Sequence, residues 1–105
     1  MKRGEVWTAR FDPAEGNEIQ KTRPGVIVSP PEIHDHLRIV LIAPLTSGSR
    51  PAPYRVPTTF GGRPGFVLLE QTRTMSKQRL IARRGLLDDQ ELDGVLAGLQ
   101  AMFAP

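Results

Sequence analysis

Many short β-strands followed by one C-terminal helix are what this sequence predicts: a mainly β domain of the α+β kind, curled into a small antiparallel barrel. Three observations lead there. Ten Gly and ten Pro in 105 residues punctuate the chain into short segments. Apolar, β-branched runs fill the intervals, as in Val26 to Val28 and Ile39 to Ala43. After Gly85 the period changes, and Leu92, Val95, Leu96, Leu99, Met102 and Phe103 recur at helical spacing. Five or six short strands of this kind usually hide their edges by closing into a barrel or half-barrel.

Taken in order, Glu5 to Phe11 reads as a first strand that stops at Asp12-Pro13. Asp12 to Lys21 is a polar loop, longer than most hairpin connections and so suspect for function. Gly25 to Ser29 is the second strand, and its continuous apolar run predicts burial on both faces. Pro30-Pro31 ends it, and Glu32 to Leu37 is a connector carrying His34 and His36. Arg38 to Ala43 is the third strand, with Pro44 expected to end its ladder. Leu45 to Ser49 then forms a loop of small residues, and the prolines of Arg50 to Pro57 allow only an edge strand or an extended rim. Turns at Gly61-Gly62 and Pro64-Gly65 precede a strand over Phe66 to Leu69, whose polar extension is Glu70 to Thr74. Gln78 to Arg83 is the last strand, and Gly85 breaks the pattern. Asp88 and Glu91 have the spacing of a helix N-cap and capping box, with acids in the first turn where the dipole favours them. Gly94 and Gly98 mark either close approach to a neighbour or a weakly selected outer face.

Length predicts one domain spanning residues 1–105 with one modest core. No run approaches the ~20 apolar residues of a membrane span, and no apolar segment follows Met-Lys-Arg, so a cytoplasmic protein is expected. The absence of cysteine excludes disulfides, a thiolate nucleophile and Cys-ligated metal. The net charge of +3 conceals an asymmetry: residues 1–84 hold all 14 bases against seven acids, and residues 85–105 hold four acids and no base. Arg outnumbers Lys 11 to 3. A basic, Arg-rich body favours polyanions and bidentate phosphate contacts.

Within Lys21-Thr-Arg-Pro-Gly-Val-Ile-Val-Ser29, Pro24 keeps Arg23 extended, so its guanidinium is expected at the mouth of a buried strand. The plain alternative is a surface arginine at a strand start. His34-Asp35-His36 suggests acid–base work or a metal, but no third ligand is identifiable from spacing, and solvated loop histidines are the default. Gly61-Gly62-Arg-Pro-Gly65 leads into a strand and reads as a turn rather than a phosphate loop. What remains is a polar set at strand ends: Glu18, Lys21 and Arg23 before the second strand, Thr46 and Ser47 after the third, Gln71, Thr72 and Arg73 after the fourth. If the second and third strands are antiparallel neighbours, Arg23 and Thr46 come together, and a guanidinium with hydroxyl donors suits a phosphate. Glu18 would then accept a proton from a ribose 2′-hydroxyl or orient Arg23.

Seven segments carry a resemblance: Arg3-Gly-Glu-Val-Trp7, Asp12-Pro13, Gly16-Asn-Glu18, Arg23-Pro-Gly-Val-Ile-Val-Ser29, Pro44-Leu-Thr-Ser47, Glu70-Gln-Thr-Arg-Thr74 and Lys77-Gln-Arg-Leu80. In order and spacing they resemble the signature blocks of the MazF/PemK family, over nearly the whole chain. The resemblance implies an SH3-like (CcdB-like) barrel with a C-terminal helix, acting as a homodimer. It implies the toxin of a type II toxin–antitoxin system, a sequence-specific endoribonuclease that cuts single-stranded RNA without metal or other cofactor. Attack by the 2′-hydroxyl on the adjacent phosphorus would leave a 2′,3′-cyclic phosphate and a 5′-hydroxyl. The family's catalytic arginine and threonine fall on Arg23 and Thr46, and Glu18 is the candidate base or orienter. Lys21, Ser47, Gln71, Arg73 and Lys77 are the expected RNA contacts, and Trp7, Phe60 and Phe66 are candidate stacking surfaces. The expected partner is an acidic, partly disordered antitoxin. The alternative is a non-catalytic toxin resembling the CcdB group, which binds DNA gyrase; the C-terminal Gln-Ala-Met-Phe-Ala-Pro105 lacks that group's Trp-Gly ending. A nucleic-acid-binding module that has lost catalysis is a third reading.

Overall fold

The computed structural model describes residues 1–11 and 21–105. Most of the predicted Asp12 to Lys21 loop, Glu18 included, lies outside the described residues. Seven strands form one curled antiparallel sheet: β1 (Glu5–Arg10), β2 (Thr22–Ile27), β3 (Ile39–Thr46), β4 (Arg55–Phe60), β5 (Arg63–Leu68), β6 (Arg73–Ser76) and β7 (Leu80–Leu86). A one-turn helix α1 (Pro31–His34) follows β2, and helix α2 (Asp89–Phe103) closes the chain. The strand order is β4-β5-β3-β2-β1-β7, with β6 added to the first half of β3. The expected mainly β half-barrel with a C-terminal helix is therefore what the chain forms.

β3 is the strand on which the curl turns. Its first half pairs with β6 (Ile42↔Arg73), its second half with β5 (Leu45↔Val67, Thr46↔Phe66). Pro44, expected to end this strand, lies inside it between those two partners, while its other side faces Gly25 of β2. A missing N–H costs least where a flanking ladder changes hands. Pro64-Gly65, expected as a turn, likewise belongs to β5; the turn is Gly61-Gly62, whose φ of +61° and +76° are those of a two-residue hairpin loop. Gly85, expected to break the pattern, sits within β7 at a bulge, where Val6 pairs Gly85 and Trp7 pairs Arg83. Strand two begins earlier than expected, at Thr22, because Pro24 is accommodated opposite Thr8.

The apolar runs are buried on both faces, as their unbroken pattern predicts. Val26, Ala43 and Val67 face one cluster beneath α2, joined by Val95, Leu92 and Leu99, whereas Ile27, Ile42 and Met75 face a second cluster around Phe11. Asp88 Oδ1 accepts from Glu91 N at 2.7 Å and completes the capping box. Gly98 marks close approach: a Cβ there would stand 2.5 Å from Leu69 Cδ1. Phe103, counted on the helix's apolar face, is 81% exposed.

His34 is not a solvated loop histidine. It is fully buried, with Nδ1 2.9 Å from Ser29 Oγ and Nε2 3.2 Å from the Met1 carbonyl. A carbonyl only accepts, so Nε2 donates to Met1, and Nδ1 lies against the Ser29 hydroxyl. The pair anchors the chain start to the β2–α1 connection, and His36 alone of the two is exposed.

Candidate functional site

Ladder arithmetic brings the predicted pair together. Gly25 faces Pro44 at the last rung of the β2–β3 ladder, and Arg23 and Thr46 each lie two residues beyond that rung. Facing residues of an antiparallel pair project to the same side. Both line one cleft of about 340 Å³ with Ser47, Phe60 and Arg63. Its far wall is the β4–β5 hairpin, brought close by Gly65: a Cβ there would meet the Thr46 carbonyl oxygen at 2.1 Å.

The electrostatics are those of an anion site. Arg23 is exposed, and no acceptor among the described residues holds its guanidinium. Arg63 supplies a second guanidinium to the same cleft. The Thr46 hydroxyl oxygen accepts from Gly48 N–H at 3.2 Å, and its own O–H is still a donor. Among the described residues, no group of three or more His, Cys, Asp or Glu gathers as metal ligands.

Of the other predicted contacts, Ser47 lines the cleft and Lys21 stands at the near end of the β1–β2 connection, its backbone at φ +64° and its carbonyl accepting from Phe11 N–H. Gln71, Arg73 and Lys77 do not line it. Gln71 ends a 3₁₀ turn (Leu69–Gln71). Arg73 donates to the Phe11 carbonyl at 3.0 Å, and the Lys77 ammonium donates to the His34 carbonyl. Trp7 does not line the cleft, and its Nε1 donates to Glu5 Oε1 at 2.9 Å. Burial raises the Glu5 pKa, yet this bond and those from Arg83 and the backbone outweigh it and hold the carboxyl below its ordinary value.

Sequence reasoning named Phe60 and Phe66 but missed the rest of the hairpin's share of the site. Arg63 and Thr58 join the cleft, and Glu91 lines its continuation. The Gly61-Gly62 signal was enough to find Arg63, since a two-residue loop sets Arg63 opposite Phe60. Glu91 was read as a helix cap only. Its Oε2 also accepts from the Thr58 hydroxyl and, at 3.0 Å, from Thr59 N–H, and the Thr58 bond chiefly lowers its pKa.

A sequence profile of the PemK-like, MazF-like toxins of type II toxin–antitoxin systems matches residues 2–103. The chain is 35% identical to the endoribonuclease toxin ChpB of Escherichia coli K12, over 97% of this chain and 93% of that one. It is 38% identical to the E. coli endoribonuclease PemK over 71% of this chain, which spans 60% of that relative's length. An endoribonuclease of a mycobacterial species, solved in complex with its cognate antitoxin, superposes with a TM-score of 0.83 at 21% identity, over 100% of this chain and 97% of that one. The chain belongs to this type II toxin–antitoxin endoribonuclease family.

Proposed function

We propose that residues 1–105 act in the cytoplasm as one toxin domain, a metal-independent endoribonuclease that cleaves single-stranded RNA at a specific sequence. The observation that carries this reading is the meeting of Arg23 and Thr46 in one cleft with a second guanidinium, Arg63. The ribose 2′-hydroxyl attacks the adjacent phosphorus, the bond from phosphorus to the 5′-oxygen breaks, and the products are a 2′,3′-cyclic phosphate and a 5′-hydroxyl. A guanidinium suits Arg23 to clamp the equatorial oxygens and give a proton to the leaving 5′-oxygen, a role that arginine as a residue type fills better than that of base. Thr46 donates its hydroxyl proton to a non-bridging oxygen. Glu18 takes the 2′-proton or orients Arg23, and Lys21 and Ser47 hold flanking RNA, while Gln71, Arg73 and Lys77, outside the cleft, take no part in the chemistry.

The test is incubation of the purified protein with labelled single-stranded RNA and mapping of the new ends. Cleavage with 5′-hydroxyl ends is expected, falling by about 10²–10³-fold in Arg23→Ala and Thr46→Ala. Equal cleavage by both variants, or none by the parent, overturns the reading. The mycobacterial neighbour was solved with its antitoxin; here an acidic, disordered segment that folds over the basic cleft is the corresponding partner. Inhibition by it should weaken with salt, and a salt-insensitive complex would contradict a charge-driven contact. The toxin acts as a homodimer, which sedimentation as a monomer at micromolar concentration would disprove.

A further inference from the structure

The cleft continues past Thr46. A second compartment of about 420 Å³ opens beside it, sharing Ser47, Thr58, Pro64 and Gly65 as a common wall and adding Phe66 and Glu91. The two compartments differ in sign. The first carries the guanidiniums of Arg23 and Arg63; the lining of the second holds a carboxylate and no basic side chain. A phosphate is attracted to the first and repelled from the second. An RNA strand crossing both therefore places a phosphate at Arg23 and a base beside Glu91.

Glu91 is fixed there. Its Oε2 takes the Thr58 hydroxyl and the Thr59 N–H, and Oε1 takes only a long bond of 3.4 Å from Asp88 N–H. Those bonds hold the carboxyl charged, the Thr58 hydroxyl contributing most. Each carboxylate oxygen accepts about two hydrogen bonds, so Oε1 retains an acceptor position and Glu91 has no proton to offer. Adenine, cytosine and guanine each carry an exocyclic amine that can donate to it. Uracil carries two carbonyls in place of an amine, and its one ring N–H lies between them, so its approach brings a carbonyl oxygen against the carboxylate. Phe66 supplies a ring on which any base can stack.

We infer that this second compartment is a nucleobase subsite next to the scissile phosphate, with Phe66 as stacking surface and Glu91 as the acceptor that selects an amine-bearing base over uracil. The inference rests on the ribonuclease reading and adds the residue that chooses one flanking base.

Single-stranded RNA randomised around a mapped cut, digested by the parent protein and sequenced at its new ends, tests it. Uracil is expected to be depleted about tenfold or more at one position adjoining the cut, the effect of one hydrogen bond to a charged group. Replacing the favoured base by its analogue without the amine, such as inosine for guanosine or purine for adenosine, should lower kcat/KM by a similar factor. In Glu91→Gln the amide oxygen stays with Thr58 and Thr59, and the amide nitrogen turns donor toward the subsite. Uracil should then be accepted, with its depletion erased or reversed. Phe66→Leu should raise KM for every substrate and leave the depletion in place. Cleavage with no uracil depletion at either neighbouring position overturns the inference and leaves the ribonuclease reading standing; absence of any cleavage overturns both. An amine-independent rate, or an unchanged base profile in a folded Glu91→Gln protein, removes Glu91 from the role.

Discussion

Arg23 and Arg73 occupy strands on opposite sides of β3, and the same guanidinium is put to different use on each side. Arg73, opposite Ile42, reaches across to the Phe11 carbonyl and secures the end of β1 against β6. Arg23, beyond the last rung that pairs β2 with β3, meets no acceptor among the described residues and faces the cleft. The bases of the far side repeat the pattern of Arg73: Lys77 binds the His34 carbonyl, and Arg79 binds the Arg10 carbonyl at 3.2 Å. A cation joined to a backbone oxygen stabilises the fold, and one that meets no acceptor among the described residues is the better placed for a ligand. Net charge makes no such distinction, and the pairing does.

The sharpest way to break that comparison is Arg23→Lys. It keeps the charge and removes the planar fork, so kcat/KM for RNA should fall about 10²-fold while the melting temperature stays put; retained activity would reduce Arg23 to a point charge. Gly65→Ala should act on the other wall. Its Cβ would collide with the Thr46 carbonyl, so denaturant unfolding should show a loss of about 2–3 kcal/mol and the cleft should lose shape. Arg73→Ala should cost about 1–2 kcal/mol by leaving the Phe11 carbonyl without its donor, yet preserve single-turnover cleavage chemistry below the melting transition. A loss of chemistry as large as that of Arg23→Ala would erase the difference between the two sides. Smallest is Thr58→Val, about 1 kcal/mol, with a signature in acid. The Glu91 pKa is lower in the folded state than in the unfolded one. Its stabilisation is therefore complete above the ordinary glutamate range and is lost as pH falls through the lowered value. Unfolding followed from neutral to acid pH should show a shallower loss in Thr58→Val than in the parent.

Much of this was legible in the residues. Val26 to Val28 and Ile39 to Ala43 announce strands buried twice over, and Leu92 to Phe103 announce a helix, because periodicity reports burial directly. Proline and glycine misled where local preference and ladder geometry part company. Pro44 and Gly85 look like terminators, and tertiary pairing finds each a place where its defect costs little: a change of partner in one case, a bulge in the other. His34 was illegible for another reason, since burial of a histidine depends on a backbone carbonyl 33 residues away. In the site, the β2–β3 pair followed from neighbouring strands, whereas Glu91 required knowing that the N-terminus of α2 lies against β4.

The β4–β5 hairpin joins β3 through two ladder rungs, Leu45↔Val67 and Thr46↔Phe66, and is hooked to α2 by Glu91 at Thr58 and Thr59. It contributes Phe60, Arg63 and Phe66 to the trough, whereas Arg23 comes from β2 and Thr46 from β3. The two walls of the trough thus come from different stretches of chain. Substitutions at the hairpin's exposed positions would therefore reshape one wall of the trough while β2 and its Arg23-Pro24 step stay as they are, so one wall can vary independently of the other.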